Sequence, residues 1–416
     1  MQFELSDRAK EYQEKLLAFM AEHVYPAESV YYAQMAESGN ANFQPPILEE
    51  LKAEAKKRGL WNLFHPHKDE AWGSPGLSNS DYAPLAEIMG RSPHLAPEAT
   101  NCNAPDTGNM EVLQLFGTDE HKEKYLKPLL AGEMASAFAM TEPAVASSDA
   151  TNVQMSMDSD GDEYVLNGRK WFASNALHAN CKVLIVMGKT NPDAAKHRQQ
   201  SMMVVPLDTP GVTIVRGLPV FGYMDREGHA EILFENVRVP KTALLAEEGD
   251  GFMISQARLG PGRIHHCMRS IGMAERALDL MIGRAQNRVT FGEPIANRSN
   301  IQDWIAEARI DIEMIRLLTL KTAWLMDTVG NHKARVEIAA IKVAAPQIAL
   351  KIIDRAIQVH GGGGVTDDFP LASFYAHQRT LRLADGPDEV HKRTIAQVEL
   401  RRISPDWNKK PVAAQS

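Results

Sequence analysis

The apolar positions along this chain change their period twice. After Ser6, Tyr12, Leu16, Phe19 and Met20 recur at helical spacing. "PPILEELKAEAKKRGLW" (45–61) has proline at its start, charges on one face and Gly59 where a helix should stop. "EVLQLFGTDEHKEKYLKPLLAGE" (111–133) predicts two more helices, broken at Gly117-Thr118, and "NLFHPHKDEAWGSPGLSN" (62–79) predicts an intervening loop. In the middle of the chain the pattern shortens to that of strands. "EYVLNGRKWFAS" (163–174) predicts a hairpin turning at Asn167-Gly168. "KVLIVMGKT", "SMMVVPLD", "GVTIVRG" and "AEILFENVRVP" follow as short strands of a small β-barrel or sandwich. From Gly251 the helical period returns. The two long helices "IAEARIDIEMIRLLTLKTAWLMDTVG" (305–330) and "VEIAAIKVAAPQIALKIIDRAIQVHG" (336–361) end on glycine and predict a four-helix bundle. The tail "SPDWNKKPVAAQS" (404–416) reads as loosely ordered.

The expected organisation is therefore an N-terminal α-helical domain (1–135), a central β-domain (136–246) and a C-terminal helical bundle (247–416). A length of 416 residues suits two or three domains, and 44% hydrophobic with 24% charged residues describes a globular chain. A net charge of −8 argues against nucleic acid as the partner. No stretch has the apolar length of a membrane span, and the first residues carry no signal core, so a cytoplasmic protein is expected. Cys102, Cys181 and Cys267 are scattered, form no zinc pattern and read as three packed thiols.

Five stretches could carry chemistry. "HGGGGV" (360–365) follows a helix, so it fails the strand–glycine–helix order of a dinucleotide fingerprint. It reads as a glycine-capped helix end, or as a place of close backbone approach to a ligand. "RIHHCMR" (263–269) has two adjacent histidines, a poor spacing for a metal on a helix, and no metal is expected. "AFAMTEPAVASSDATN" (137–152) is a polar interdomain linker or a set of hydroxyls and amides suited to a flavin edge. "KWFASNA" (170–176) sets an aromatic pair beside Ser174, as a strand core would, or as a ring-stacking site would. "LADGPDEVH" (383–391) places Asp385 before a helix, either as its cap or as a base.

Together these stretches resemble the acyl-CoA dehydrogenase family. "MTEP…SSDA", "KWFAS", "LFENVRVP", "GDGF", "RVTFGEPI", "QVHGGGGV" and "ADGPDEV" occur in the family's order over essentially the whole chain. "GPDEV" and "LGPGRIHH" are similar to the subgroup whose larger members are fused to a phosphotransferase-like domain, of which no sign is expected within these 416 residues. The resemblance implies the α-domain, β-barrel domain and C-terminal four-helix bundle already expected. It also implies FAD, and removal of hydrogens from the α and β carbons of an acyl-CoA thioester in fatty-acid or branched-acyl catabolism (β-oxidation). Electrons would pass to an electron-transfer flavoprotein. An oxygen-using oxidase of the same fold, acting on an acyl-CoA or a nitroalkane, and a non-catalytic binding member are the alternatives.

Residue by residue, the resemblance places Phe138, Met140, Thr141 and Ser148 along the flavin, with Ser148 also near the substrate. Phe172 and Ser174 fall against the flavin ring. Arg288, Gln358, Gly361 and Gly362 fall where the family reaches the FAD of a neighbouring subunit, which implies a homodimer or homotetramer. Pro387, Asp388 and Glu389 fall at flavin contacts, Arg263 near the CoA part, and Gly386 against the thioester.

Asp385 stands where the family's usual base is glutamate. "ISQARLGPGR" (254–263), where some relatives carry the base, contains no carboxylate. Asp385 is thus the one candidate base, and its backbone N–H an oxyanion donor. In a dry pocket its pKa should be raised. Being one methylene shorter, it calls for a backbone shift or a closer substrate. The positive end of the helix starting near Pro387 would face the same site.

Overall fold

The computed structural model describes residues 4–407. The expected tail falls mostly outside these residues. Helices α1 (Asp7–Phe19), α2 (Tyr25–Ser38), α3 (Pro46–Lys57), α4 (Asn79–Gly90) and α5 (Asp106–Phe116) build the N-terminal part. Ser6, Pro46, Gly59 and Gly117-Thr118 mark helix ends as the sequence predicts, whereas α2 and α4 were not anticipated and α5 begins at Asp106, ahead of the expected Glu111. Ser6 accepts a hydrogen bond from Ala9 N at 3.0 Å. Gly117 ends α5, and Thr118 caps the next helical turn through His121 N.

The strands are β1 (Ala135–Ala139), β2 (Ser156–Asp160), β3 (Glu163–Ser174), β4 (Cys181–Lys189), β5 (Gln200–Pro206), β6 (Val212–Gly217) and β7 (His229–Pro240). They form one seven-stranded sheet in the order β1-β4-β2-β3-β7-β6, with β5 on β4. Between barrel and sandwich, this single bent sheet lies on the barrel side.

The expected hairpin at Asn167-Gly168 is not formed. The chain turns instead at Gly161-Asp162, where Asp160 pairs with Glu163, and β3 runs through Asn167-Gly168. There the pairing with β7 skips a residue, making a bulge. Two contacts outcompete the turn: Asn167 Oδ1 accepts from Asn236 N at 2.7 Å, and Gly168, at φ +155°, lets Met155 lie where a Cβ would stand.

The C-terminal helices are α6 (Gly251–Asn287), α7 (Ser299–Val329), α8 (Arg335–His360), α9 (Leu371–Leu381) and α10 (Asp388–Ile403). At 1.5 Å per residue, the 37-residue α6 runs for about 55 Å and serves as the spine of the molecule. α8 packs along it, and α4 crosses it closely. At that crossing a Cβ on Gly90 would meet Arg269 O at 2.4 Å and one on Gly272 would meet Glu87 O at 2.0 Å, so only glycines allow the approach.

Helices from both ends of the chain share one apolar core, including Leu16, Phe19, Leu85, Ile264, Ile312 and Ile352, whereas the sheet keeps its own around Met157, Leu166, Ile232 and Phe234. The three cysteines are free and buried. Among the described residues no helix is long and apolar enough to cross a membrane.

Candidate active site

Asp385 lies in the turn between α9 and α10, two residues before the Pro387 cap position of α10. Among the described residues, no N–H of α10 donates to its carboxylate, so it does not cap the helix. Its backbone is left-handed, at φ +54°, an unusual conformation for a residue with a side chain. Gly386 follows at φ +96°, with His391 Nε2 2.9 Å from where a Cβ would stand. This double turn swings the Asp385 side chain back towards α6, where Oδ2 lies 3.3 Å from His266 Nε2. Its carbonyl meets Arg263 Nη2 at 3.5 Å and His391 Nε2 at 3.2 Å. Its own N–H has no backbone acceptor among the described residues.

The electrostatics correct the expected raised pKa. Burial alone would push the Asp385 carboxyl up, but contact with His266 and the nearby charges of Arg258 and Lys342 hold it well below the usual range. Lys342, on α8, is fully buried and donates to Leu381 O at the end of α9. Arg258 lies over the Phe138 ring at 4.0 Å and donates from Nε to Asn109 Oδ1 at 3.3 Å. Strand β1, helix α5, helix α6 and the Asp385 turn thereby converge on one place.

A second cluster sits on the sheet. β3 bulges between Lys170 and Ala173, leaving Phe172 at φ +50° and 43% exposed, edge-on to Trp171 with ring centroids 5.0 Å apart. An exposed aromatic on a left-handed bulge is costly and suits a flat ring stacked on it. Ser174 Oγ lies 2.8 Å from His229 Nδ1, and His229 Nε2 lies 3.0 Å from Asp225 Oδ2. The 140–155 loop is pinned underneath by a buried ion pair, Lys170 Nζ to Glu142 Oε1 at 2.8 Å. Lys170 also donates to Met140 O, while Glu142 accepts from Gln154 N and Met155 N. Thr141 Oγ1 donates to Trp171 O at 2.5 Å, tying this loop to the bulge. Phe138 and Met140 are half-buried; Ser148 is exposed beyond them.

Arg288, Gln358, Gly361 and Gly362 come together elsewhere, in a cleft of about 430 Å³ shared with Arg298 and Trp304. A Cβ on Gly361 or Gly362 would meet nothing within 4 Å, leaving open space above the backbone. Gly361 ends α8 at φ +64°, so it is a helix stop as well as a cleft wall. Gln358 lies 16 residues beyond Lys342 on one helix, about 24 Å at 1.5 Å per residue. The cleft is therefore well separated from the Asp385 turn of the same copy.

The last group divides. Pro387 is partly exposed and Glu389 exposed, but Asp388 turns inward. It is 2% exposed, and Oδ2 accepts from Arg382 Nε at 2.8 Å and Gln347 Nε2 at 2.7 Å. Asp388 is thus committed to holding the start of α10, which corrects its expected flavin contact. The adjacent histidines 265 and 266 face opposite ways. His265 packs edge-on against Tyr82 at 4.7 Å, and only His266 reaches the site.

The sequence reading missed Arg258, His266, Lys342 and His391 at the base, and Lys170 and Glu142 under the loop. The histidines of "RIHH" were weighed as metal ligands and not as partners of the base, and "ISQARLGPGR" supplied Arg263 while its other arginine, Arg258, was passed over. Lys170, the cation beside the exposed aromatics, carried another.

Comparison with known proteins agrees with this geometry. Family models match residues 6–133 (acyl-CoA dehydrogenase, N-terminal domain), 137–237 (middle domain) and 249–400 (C-terminal domain). The chain is 57% identical over 403 residues to a Mycobacterium tuberculosis protein named Probable acyl-CoA dehydrogenase FadE2, covering 97% of this chain and 98% of that one. It is 54% identical over 404 residues to Acyl-CoA dehydrogenase family member 11 of Gallus gallus, covering 96% of this chain but 51% of that protein, so it spans about half of that relative's length. A solved structure assigned as an acyl-CoA dehydrogenase from Mycobacterium abscessus superposes with a TM-score of 0.93 at 49% identity, covering 97% of this chain and all of that one. The chain belongs to the acyl-CoA dehydrogenase family, the FAD oxidoreductases that act on CH–CH bonds.

Proposed function

We propose that this protein dehydrogenates an acyl-CoA thioester to the 2-enoyl-CoA, with Asp385 as the base. The observation that carries this reading is the left-handed Asp385 turn, which aims an ionised carboxylate into the convergence of β1, α5 and α6. Bound FAD would supply the acceptor for the hydride leaving the β carbon. Phe172 and Ser174 suit the flavin ring, with Phe138, Met140, Thr141 and Ser148 along its edge. Pro387 and Glu389 border it at the start of α10, whose positive end faces the site.

Asp385 takes the α proton onto its carboxylate. Its free N–H donates to the thioester oxygen, which gains charge as that proton leaves. Gly386 leaves room beside the thioester, and Arg263, on the far side of the turn, lies towards the CoA part. The surrounding cations keep Asp385 deprotonated before substrate arrives. An acyl chain then displaces water from a carboxylate that retains 23% exposure, which raises its basicity.

The cleft of Arg288, Gln358, Gly361 and Gly362 would hold the pyrophosphate–adenosine part of a second copy's FAD. Support comes from its two arginines, its distance from Asp385, and a nearby apolar face: Phe291 is 99% exposed, and Ile310, Met314 and Leu317 line one side of α7. A homodimer or homotetramer follows. We further propose domain limits of 1–135, 136–246 and 247–416, an electron-transfer flavoprotein as acceptor, and a cytoplasmic role in acyl β-oxidation.

Anaerobic titration of the yellow holoprotein with short, medium, long and branched acyl-CoAs tests the reading. At least one should bleach the flavin, and reoxidation should be faster with an electron-transfer flavoprotein than with oxygen. No bleaching by any acyl-CoA would overturn the dehydrogenase assignment.

A further inference from the structure

The shortened base raises a positioning problem. An unclamped aspartate carboxylate on a half-buried turn would sample several rotamers, and displacement by about 1 Å can cost on the order of a hundredfold in rate. Three linked contacts answer it. Arg269, 6% exposed, donates from Nη1 to Cys102 O at 3.1 Å and from Nη2 to His266 Nδ1 at 3.3 Å. A guanidinium has only donors, so Nδ1 must accept, and the ring's proton sits on Nε2. That nitrogen lies 3.3 Å from Asp385 Oδ2. Burial, opposed by the Asp385 contact, holds the imidazole below its ordinary pKa, so the ring is a neutral donor. No hydrogen bond among the described residues reaches Oδ1.

We propose that His266 is a positioning residue. Its tautomer, set by Arg269 from the tight α4–α6 crossing, clamps one oxygen of Asp385 and leaves the other to take the substrate proton. His266 does not store the proton, because in this tautomer neither ring nitrogen can accept one without losing a contact. The proposal rests on the reading of Asp385 as the base. It explains how the shorter acid is held once the left-handed turn has aimed it: the support comes from a side chain on α6.

The test uses holoenzyme and stopped-flow flavin reduction with the acyl-CoA that bleaches best. His266→Leu should lower the limiting reduction rate about a hundredfold, leave the acyl-CoA Kd within about threefold, and increase the α-deuterium isotope effect. His266→Gln, whose amide N–H replaces Nε2–H, should recover at least about tenfold of that loss. If His266→Leu does not fold, the glutamine variant and the spectroscopic arm still decide. Nitrogen-15 NMR of histidine-labelled wild type, with the resonance assigned by its loss in His266→Gln, should show neutral Nε2–H imidazole. Wild-type reduction rates in both variants, an Nδ1–H tautomer or an imidazolium would each overturn the proposal. Near-full activity of Asp385→Asn would instead overturn the reading beneath it.

Discussion

Glu111 on α5 and Asp385 beside α10 both lie in the field of Arg258, yet they end in opposite charge states. Burial pushes Glu111 up to about 8, and the Arg258 charge, with no other cation near, is too little to reverse it. Asp385 is also disfavoured by burial, but the hydrogen bond from His266 and the charges of Arg258 and Lys342 together pull it far down. Asp106 follows Glu111, at about 7, because hydrogen bonds from Ser136 and Asn175 only partly offset its desolvation. One region thus contains two acids whose protonated forms burial favours and one ionised acid that can take a proton. Asp385 has the His266 contact and a second cation, Lys342, neither of which acts on Glu111.

Glu142 extends the comparison as an acid in direct contact with its cation. Lys170→Met should be the more damaging change, leaving the Glu142 charge buried without its partner at a cost of about 3–5 kcal/mol. Thermal or denaturant unfolding checks this, and an unchanged midpoint would show that the two backbone N–H donors to Glu142 suffice.

A smaller effect belongs to Glu111. Its folded pKa, about 8, exceeds the ordinary 4.5, so its favourable contribution is complete below pH 4.5 and is lost as pH rises through 8. Glu111→Gln should remove a pH-dependent loss on the order of a few kcal/mol across that window. Denaturation curves at pH 5 and 8.5 measure it. If the variant and wild type lose stability in parallel, Glu111 is already ionised.

Much of the fold was legible because several helix ends carry a chemical mark, such as Ser6, Gly59, Thr118 or Gly361, and because the strands are rich in β-branched residues bounded by turn residues. Asn167-Gly168 misled because a local turn signal was overridden by packing of Met155 and pairing with Asn236, both distant in sequence. At the site, Asp385, Phe172 and Ser174 stand in recognisable local strings. Their supports do not: Arg258, His266 and Lys342 reach Asp385 across 43 to 127 residues of chain, and only folding brings them together. The expected raised pKa failed for the same reason, since it took account of the pocket's dryness and not of cations arriving from other helices.

The central claim, that Asp385 takes the α proton, is tested most directly by mixing Asp385→Asn holoprotein anaerobically with a bleaching acyl-CoA. Flavin content and acyl-CoA binding should persist while the limiting rate of reduction falls on the order of a thousandfold or more. Reduction at close to the wild-type rate would contradict it.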